Sequence, residues 1–189
     1  MRHQHTTPFE MIELKFHAKM PIFVARQWVR HRTANINEYS GRYSVMSDEF
    51  YLPPRTEIRG QSNWNHQARS DEQLDPEKQK RVLALLEACY GTSLSAYNEM
   101  IELGFARELA RIGLSVSNYT QWYWKIDLHN LFHFLKLRTD PHAQHEIQVY
   151  AKAMARVIKD AFPMAYEAFE DYQVHGVSWS RLEMDILKN

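Results

Sequence analysis

The sequence predicts an α+β fold, on three observations. Two stretches alternate apolar and polar residues, the period of a strand with one buried face. Several longer stretches repeat apolar residues at the helical period. Proline, glycine and helix-capping residues punctuate the joins. A mixture of two or three strands with long helices belongs to the α+β class. At 189 residues, 44% of them apolar, the chain suits one domain, residues 1–189, with its own core.

Taken in order, residues 11–20 set Ile12, Leu14, Phe16 and Ala18 against Glu13, Lys15, His17 and Lys19, which reads as a half-buried strand. Pro21 suits the first turn of a helix, predicted over 21–32 from Phe23, Val24 and Trp28. Arg26 and Arg30 then share a helix face, with His31 and Arg32 at the C-terminal end. Residues 35–47, rich in Asn, Ser and Gly, read as an ordered polar loop, and 53–75 as a long connection. Asp75-Pro76-Glu77 is a helix start, and Gly104 is the stop after Leu103. Val82, Leu85, Leu86, Cys89, Tyr90, Leu94 and Tyr97 mark that helix's apolar positions. A short helix is expected over Phe105–Ile112, and a strand over 115–126 through Val116, Tyr119, Trp122, Trp124 and Ile126. Helices follow near 128–138, 141–160 and 163–172, the second opened by Asp140-Pro141. Residues 175–189 are weakly patterned.

Charge narrows the function classes. Lys plus Arg equals Asp plus Glu at 23 each, whereas a dedicated nucleic-acid binder carries a basic excess. Cationic clusters are therefore local, which favours pockets over a global field. The single cysteine, Cys89, cannot form an internal disulfide and fits a reducing compartment. No apolar run approaches the roughly 20 residues that cross a bilayer, and no secretory h-region opens the chain. A cytoplasmic protein without membrane or nucleic-acid partners is expected. Six glycines form no Gly-x-Gly-x-x-Gly, so neither a Rossmann turn nor a Walker loop is available.

The densest chemistry lies in Arg30–Tyr43. Arg30, His31, Arg32 and Arg42 gather there with Arg26 just upstream and one carboxylate, Glu38, among them. One reading is a phosphate and cofactor site, with Arg for phosphate, Ser40 and the Gly41 backbone for close approach, and Tyr43 for stacking. The other is a salt-bridged surface helix end, and composition leaves both open. Arg138 is either a cation at a helix C-terminus or a charged pocket edge between helices. His129 and His133 lie four apart, with His145-Glu146 beyond, yet paired Glu-x-x-His motifs and cysteine support are missing. A polar ligand contact is favoured there over a metal. Cys89 on an apolar helical face reads as core packing rather than a nucleophile.

Arg30-His31-Arg32, seven residues and Ser40, within Asn37-Glu38-Tyr39-Ser40-Gly41-Arg42-Tyr43, resemble the signature of the flavin-dependent thymidylate synthases. His5-Thr6-Thr7-Pro8-Phe9-Glu10, Pro21–Trp28, Glu108-Leu109-Ala110-Arg111 and Leu135–Gln144 resemble further family segments in the same order. The resemblance covers about residues 4–172. It implies a small, mostly antiparallel sheet packed with long helices, in a homotetramer with shared active sites. It implies methylation of dUMP to dTMP, with methylenetetrahydrofolate as carbon donor and FAD, reduced by NADPH, as hydride source.

By position, Arg138 resembles the catalytic arginine beside the uracil ring. Gln27, Trp28, Val29, Arg30, Glu38, Tyr39, Ser40, Gly41, Arg42, Arg111 and Arg138 resemble dUMP-binding positions. Thr7, Arg30, His31, Arg32, Glu38, Asp127, Leu128, His129 and His133 resemble FAD-binding positions, and His5 and Tyr43 groups near flavin and folate. Members normally carry a further segment before the His-x-Thr-Pro-Phe-Glu stretch, so the N-terminal segment reads as shorter than usual. Asp127 stands where Asn is common; when ionised it can only accept hydrogen bonds, so its flavin contact would have to be with a donor. Cysteine-dependent thymidylate synthases attack uracil C6 with a thiol, which this family does not need.

Overall fold

The computed structural model describes residues 1, 3–64 and 68–188. Three strands form one sheet in the order β1 (Glu13–Pro21), β5 (Tyr119–Asp127), β2 (Asn35–Glu38). β2 runs antiparallel to β5, with Ile36 opposite Trp124 and Glu38 opposite Trp122. A hairpin of β3 (Arg59–Gln61) and β4 (Arg69–Gln73) is antiparallel as well. The helices are α1 (Thr7–Glu10), α2 (Ile22–Trp28), α3 (Pro76–Glu102), α4 (Arg107–Ala110), α5 (Leu128–Arg138), α6 (His145–Ala161), α7 (Pro163–Phe169) and α8 (Arg181–Lys188). This is the expected α+β class with a small, mostly antiparallel sheet.

The chain divides into two compact units, one of residues 1–14 and 126–189, the other of 15–125. In the second unit, β1 buries Ala18 and Met20, and β5 buries Thr120, Trp122 and Trp124. Trp28 of α2 is fully buried, with its ring edge-on to Trp122 at 5.5 Å and to Trp124 at 5.1 Å. Edge-to-face rings of this kind add to plain area burial. The buried phase of β5 is the even-numbered one, so Tyr119 lies on the other face from Trp122. The sequence alternates imperfectly here because tyrosine and tryptophan occupy both faces.

In the first unit, α5 buries Leu128, Leu131, Phe132, Phe134 and Leu135, and α6 buries Ile147, Ala151 and Ile158. Phe132 stacks on Phe169 of α7 at 4.5 Å, and α1 adds Phe9 against Phe132 at 6.3 Å. Asp127 caps α5: its Oδ1 accepts from the Asn130 backbone N–H at 2.9 Å and its Oδ2 from the Asn130 side chain at 2.7 Å.

Several expectations change. Helix α2 closes at Trp28, so Arg30 and Arg32 leave the helix and Arg26 and Arg30 share no helix face. Pro21 ends β1 and precedes α2 with extended backbone instead of occupying its first turn. The expected polar loop 35–47 opens with β2, an edge strand whose four residues are all exposed, so it shows no apolar alternation. The long connection 53–75 contains the β3–β4 hairpin, and its positions 65–67 lie outside the described residues. Helix α6 starts at His145; Asp140 accepts instead from the His142 backbone in a turn. Cys89 is exposed, because α3 fully buries only Gln79 and Tyr97 and leaves the side bearing Leu85 and Cys89 open. Helix α3 itself begins and ends as expected, with Asp75 capping Lys78 N–H and Gly104 at φ 80°.

Candidate functional site

The expected site residues divide between the two units. His5, Thr7, Asp127, Leu128, His129, His133 and Arg138 lie in the first, and the residues from Gln27 to Tyr43, with Arg111, in the second.

In the second unit the turn after β2 is held in shape from several sides. Tyr39 donates its hydroxyl to Val45 O at 3.0 Å, and its backbone N–H reaches Gln121 O at 2.9 Å. Ser40 Oγ accepts from Arg42 N–H at 3.3 Å. Met46 N–H donates to the buried Tyr97 hydroxyl at 3.0 Å. Gly41 is buried, and a Cβ there would sit 2.5 Å from Met46 Sδ and 3.4 Å from Arg111 Cδ. Glycine is therefore used for close approach, and its φ is not in the left-handed region.

Arg42 and Arg111 both bond to Glu108. Both the Nε and a terminal nitrogen of Arg42 lie 3.2 Å from Glu108 Oε2. Arg111 Nε donates to the Glu108 backbone carbonyl at 3.2 Å. Arg107 anchors the same turn by donating to Tyr43 O at 2.7 Å. Sequence reasoning named Arg42 and Arg111 but assigned no role to Glu108 or Arg107. The Arg107-Glu108-x-x-Arg111 charge pattern was the available signal, but its meeting with Arg42 spans 66 residues of chain. The Arg42–Glu108 pair is about half exposed, and such pairs contribute only about 0–1 kcal/mol. An incoming phosphate can take over these guanidinium groups at little cost.

Arg26, Arg30 and Arg32 make no ion pair or side-chain hydrogen bond among the described residues. Arg42 of the same segment is by contrast salt-bridged to Glu108. Gln27 buries its amide oxygen with no hydrogen-bond partner, an acceptor poised for an N–H donor. Trp28 is consumed by the core, so any ligand contact there falls to its backbone. Glu38 accepts from the Thr120 hydroxyl at 2.6 Å, and Val29 and Tyr43 are exposed.

In the first unit, His5 and His129 line one cavity of about 550 Å³. Both Asp127 oxygens serve the α5 cap, and Leu128 is fully buried; Thr7 starts α1, and His133 is exposed. Arg138 closes α5 half-buried, and that burial lowers its guanidinium pKa from the ordinary value. A cation stripped of part of its water interacts strongly with a nearby anion. Among the described residues no three His, Cys, Asp or Glu side chains come together as metal ligands. No described helix is long and apolar enough to cross a membrane.

A flavin-dependent thymidylate synthase of Rickettsia conorii is 52% identical across all of this chain and 68% of its own length. Enzymes of the same name are 54% identical in Ruegeria pomeroyi, over all of this chain and 63% of theirs, and 53% in Dictyostelium discoideum, over 99% and 61%. The chain therefore spans between 61% and 68% of the length of these relatives. A crystal structure of the UMP/dUMP methylase PolB from Streptomyces cacaoi, bound with 5-Br UMP, superposes with a TM-score of 0.83 at 32% identity, covering 89% of this chain and 78% of PolB. The family model of the thymidylate synthase complementing protein, Thy1, matches residues 1–164, and this chain belongs to that family.

Proposed function

We propose that this chain forms a flavin-dependent thymidylate synthase, methylating dUMP to dTMP. The observation that carries the reading is that Arg42 and Arg111, beside the buried Gly41 turn, both bond to Glu108. A nucleotide phosphate carries close to two negative charges near neutral pH and accepts paired hydrogen bonds from guanidinium. Ser40 and the Gly41 backbone permit the close approach. The buried Gln27 acceptor, without a partner among the described residues, suits a donor on the nucleotide, and Arg30 and Arg32, paired with no described carboxylate, supply further positive charge. A bound-pyrimidine neighbour in the solved PolB complex supports the same substrate class.

The chain's residues also fit a flavin. The cavity of the first unit that holds His5 and His129 has polar and aromatic walls, and in the second unit Arg30 and Arg32 form no ion pair with a described residue. FAD, reduced by NADPH, would supply the hydride, and methylenetetrahydrofolate the carbon. The protein's own part is orientation and charge. Arg42 and Arg111 hold the phosphate, Gln27 sets the nucleotide's register, and Arg138 favours loss of the uracil N3 proton by stabilising the resulting anion. The exposed apolar side chains Leu85, Leu103, Ile186 and Leu187 support assembly as a homotetramer with shared sites. A cytoplasmic location accords with the lone, unpaired Cys89.

Calorimetric titration with dUMP tests the phosphate grip. Arg111→Ala should weaken binding about 10- to 100-fold, the loss expected of charge-assisted hydrogen bonds. Equal affinity for wild type and variant would remove Arg111 from the site.

A further inference from the structure

The long helix α3 turns one face inward and leaves the opposite one uncovered. Val82, Leu86, Tyr90 and Tyr97 are buried or half-buried. On the other side Arg81, Leu85, Ala88, Thr92, Ser95 and Glu99 are all exposed. They alternate steps of four and three residues, the spacing that lines side chains along the seam of one helix packed on another. An exposed helix face ordinarily carries charge, yet none lies on this seam between Arg81 and Glu99. The one charged residue within that span, Glu87, sits about 100° round the helix from Ala88. Alanine and serine at the centre leave room for a second helix axis at about 8 Å, the close end of the usual range.

The charges at the two ends select the partner. Lys80 and Arg81 lie towards the start of α3, and Glu99 and Glu102 at its end. Apart from Glu77 in the first turn, this distribution opposes the helix dipole, which favours carboxylates at the start and cations at the end. Arg81 and Glu99 make no ion pair or side-chain hydrogen bond among the described residues. Neither the helix itself nor its described neighbours explain them. They are five full turns apart, about 27 Å along one face. Arg81 and Glu99, Leu85 and Ser95, and Ala88 and Thr92 stand in pairs equally far from position 90. A second α3 laid antiparallel across position 90 therefore sets Arg81 against Glu99, Leu85 against Ser95 and Ala88 against Thr92, twice over. A parallel pair in register would set Arg81 against Arg81 and Glu99 against Glu99, which repel.

We propose that the outer face of α3 is a self-association surface, occupied by the α3 of a second copy of this chain running antiparallel and centred on position 90. The inference rests on the oligomeric assembly proposed above and adds the face and the orientation of one pairing within it.

Sedimentation velocity of the full chain over a concentration series reads the assembly. Arg81→Glu and Glu99→Arg each turn two attractive pairs into repulsive ones, so each variant should dissociate at about tenfold higher concentration than wild type. The combined variant Arg81→Glu/Glu99→Arg restores opposite charges and should assemble like wild type. Lys80→Glu, off the seam, should change nothing. A second measurement reads the register directly. In a Cys89→Ser background, Arg81→Cys with Glu99→Cys should give disulfide-linked pairs on oxidation, since facing positions come within the roughly 7 Å between Cα atoms that a disulfide spans. Arg81→Cys alone should not link, its two copies lying about 27 Å apart. Oligomeric wild type unmoved by either reversal overturns the proposal. So does a double reversal that stays dissociated, an equal effect of Lys80→Glu, or linkage through Arg81→Cys alone. A monomeric wild type ends the oligomeric reading and this inference together.

Discussion

Single residues carry the reading furthest at Arg138 and at Trp28, for opposite reasons. Arg138 sits half-buried at the end of α5, where desolvation has already raised the energy of its charge. A fixed cation beside a developing anion is worth about 10²–10³ in rate when its counterpart is a single preorganised donor. Arg138→Ala should therefore fold and bind flavin, yet lose turnover by about 10²-fold or more, as read from single-turnover kinetics. Normal turnover would place the catalytic charge elsewhere. Trp28 was expected among the dUMP-binding positions, but its ring is wedged between Trp122 and Trp124. Trp28→Ala should cost about 3–5 kcal/mol in denaturant unfolding, the range for large aromatic truncations in a core. A variant of wild-type stability with impaired dUMP binding would show the ring to serve the ligand. Glu108 shows the limit of reading single residues in sequence. Its partner Arg42 is adjacent only after the turn at Gly41 and α4 have both formed.

At the level of elements, legibility followed apolar periodicity. Helix α5 spans the expected 128–138, and the structure shows Asp127 capping its first turn. Helix α3 was equally plain, with Asp75-Pro76 before it and Gly104 after it. Strand β2 was illegible because an exposed edge strand of Asn35, Ile36, Asn37 and Glu38 is fixed by backbone pairing to β5 rather than by burial. Asp140-Pro141 misled, since an aspartate can accept from the backbone two residues on without starting a helix. The α3 cap also carries a pH dependence. The Lys78 side chain, then the Lys78 backbone N–H, hold the Asp75 carboxyl below its ordinary value. A depressed folded-state value contributes stability above the unfolded carboxylate's value and loses it as pH falls through the folded one. Between pH 6 and 3 the Tm of wild type should therefore fall more steeply than that of Asp75→Asn, which caps without titrating. Parallel curves would show that the cap adds nothing to acid sensitivity.

For the whole molecule, the residues expected at the site, from His5 to Arg138, divide between two compact units. Motif matching could name them because the Arg30–Tyr43 signature is dense, with order and spacing preserved around it. It could not show that the buried Gln27 acceptor has no partner among the described residues, that Arg30 and Arg32 pair with no described carboxylate, or that a Cβ at Gly41 would meet Met46 and Arg111. Those are properties of packing, and they distinguish a ligand site from a salt-bridged surface. The most direct test is release of tritium from [5-³H]dUMP by the purified chain, supplied with FAD, NADPH and methylenetetrahydrofolate. The account predicts release into water that requires all three and disappears in Arg138→Ala. No release, from protein shown to be folded and to hold both FAD and dUMP, would contradict it.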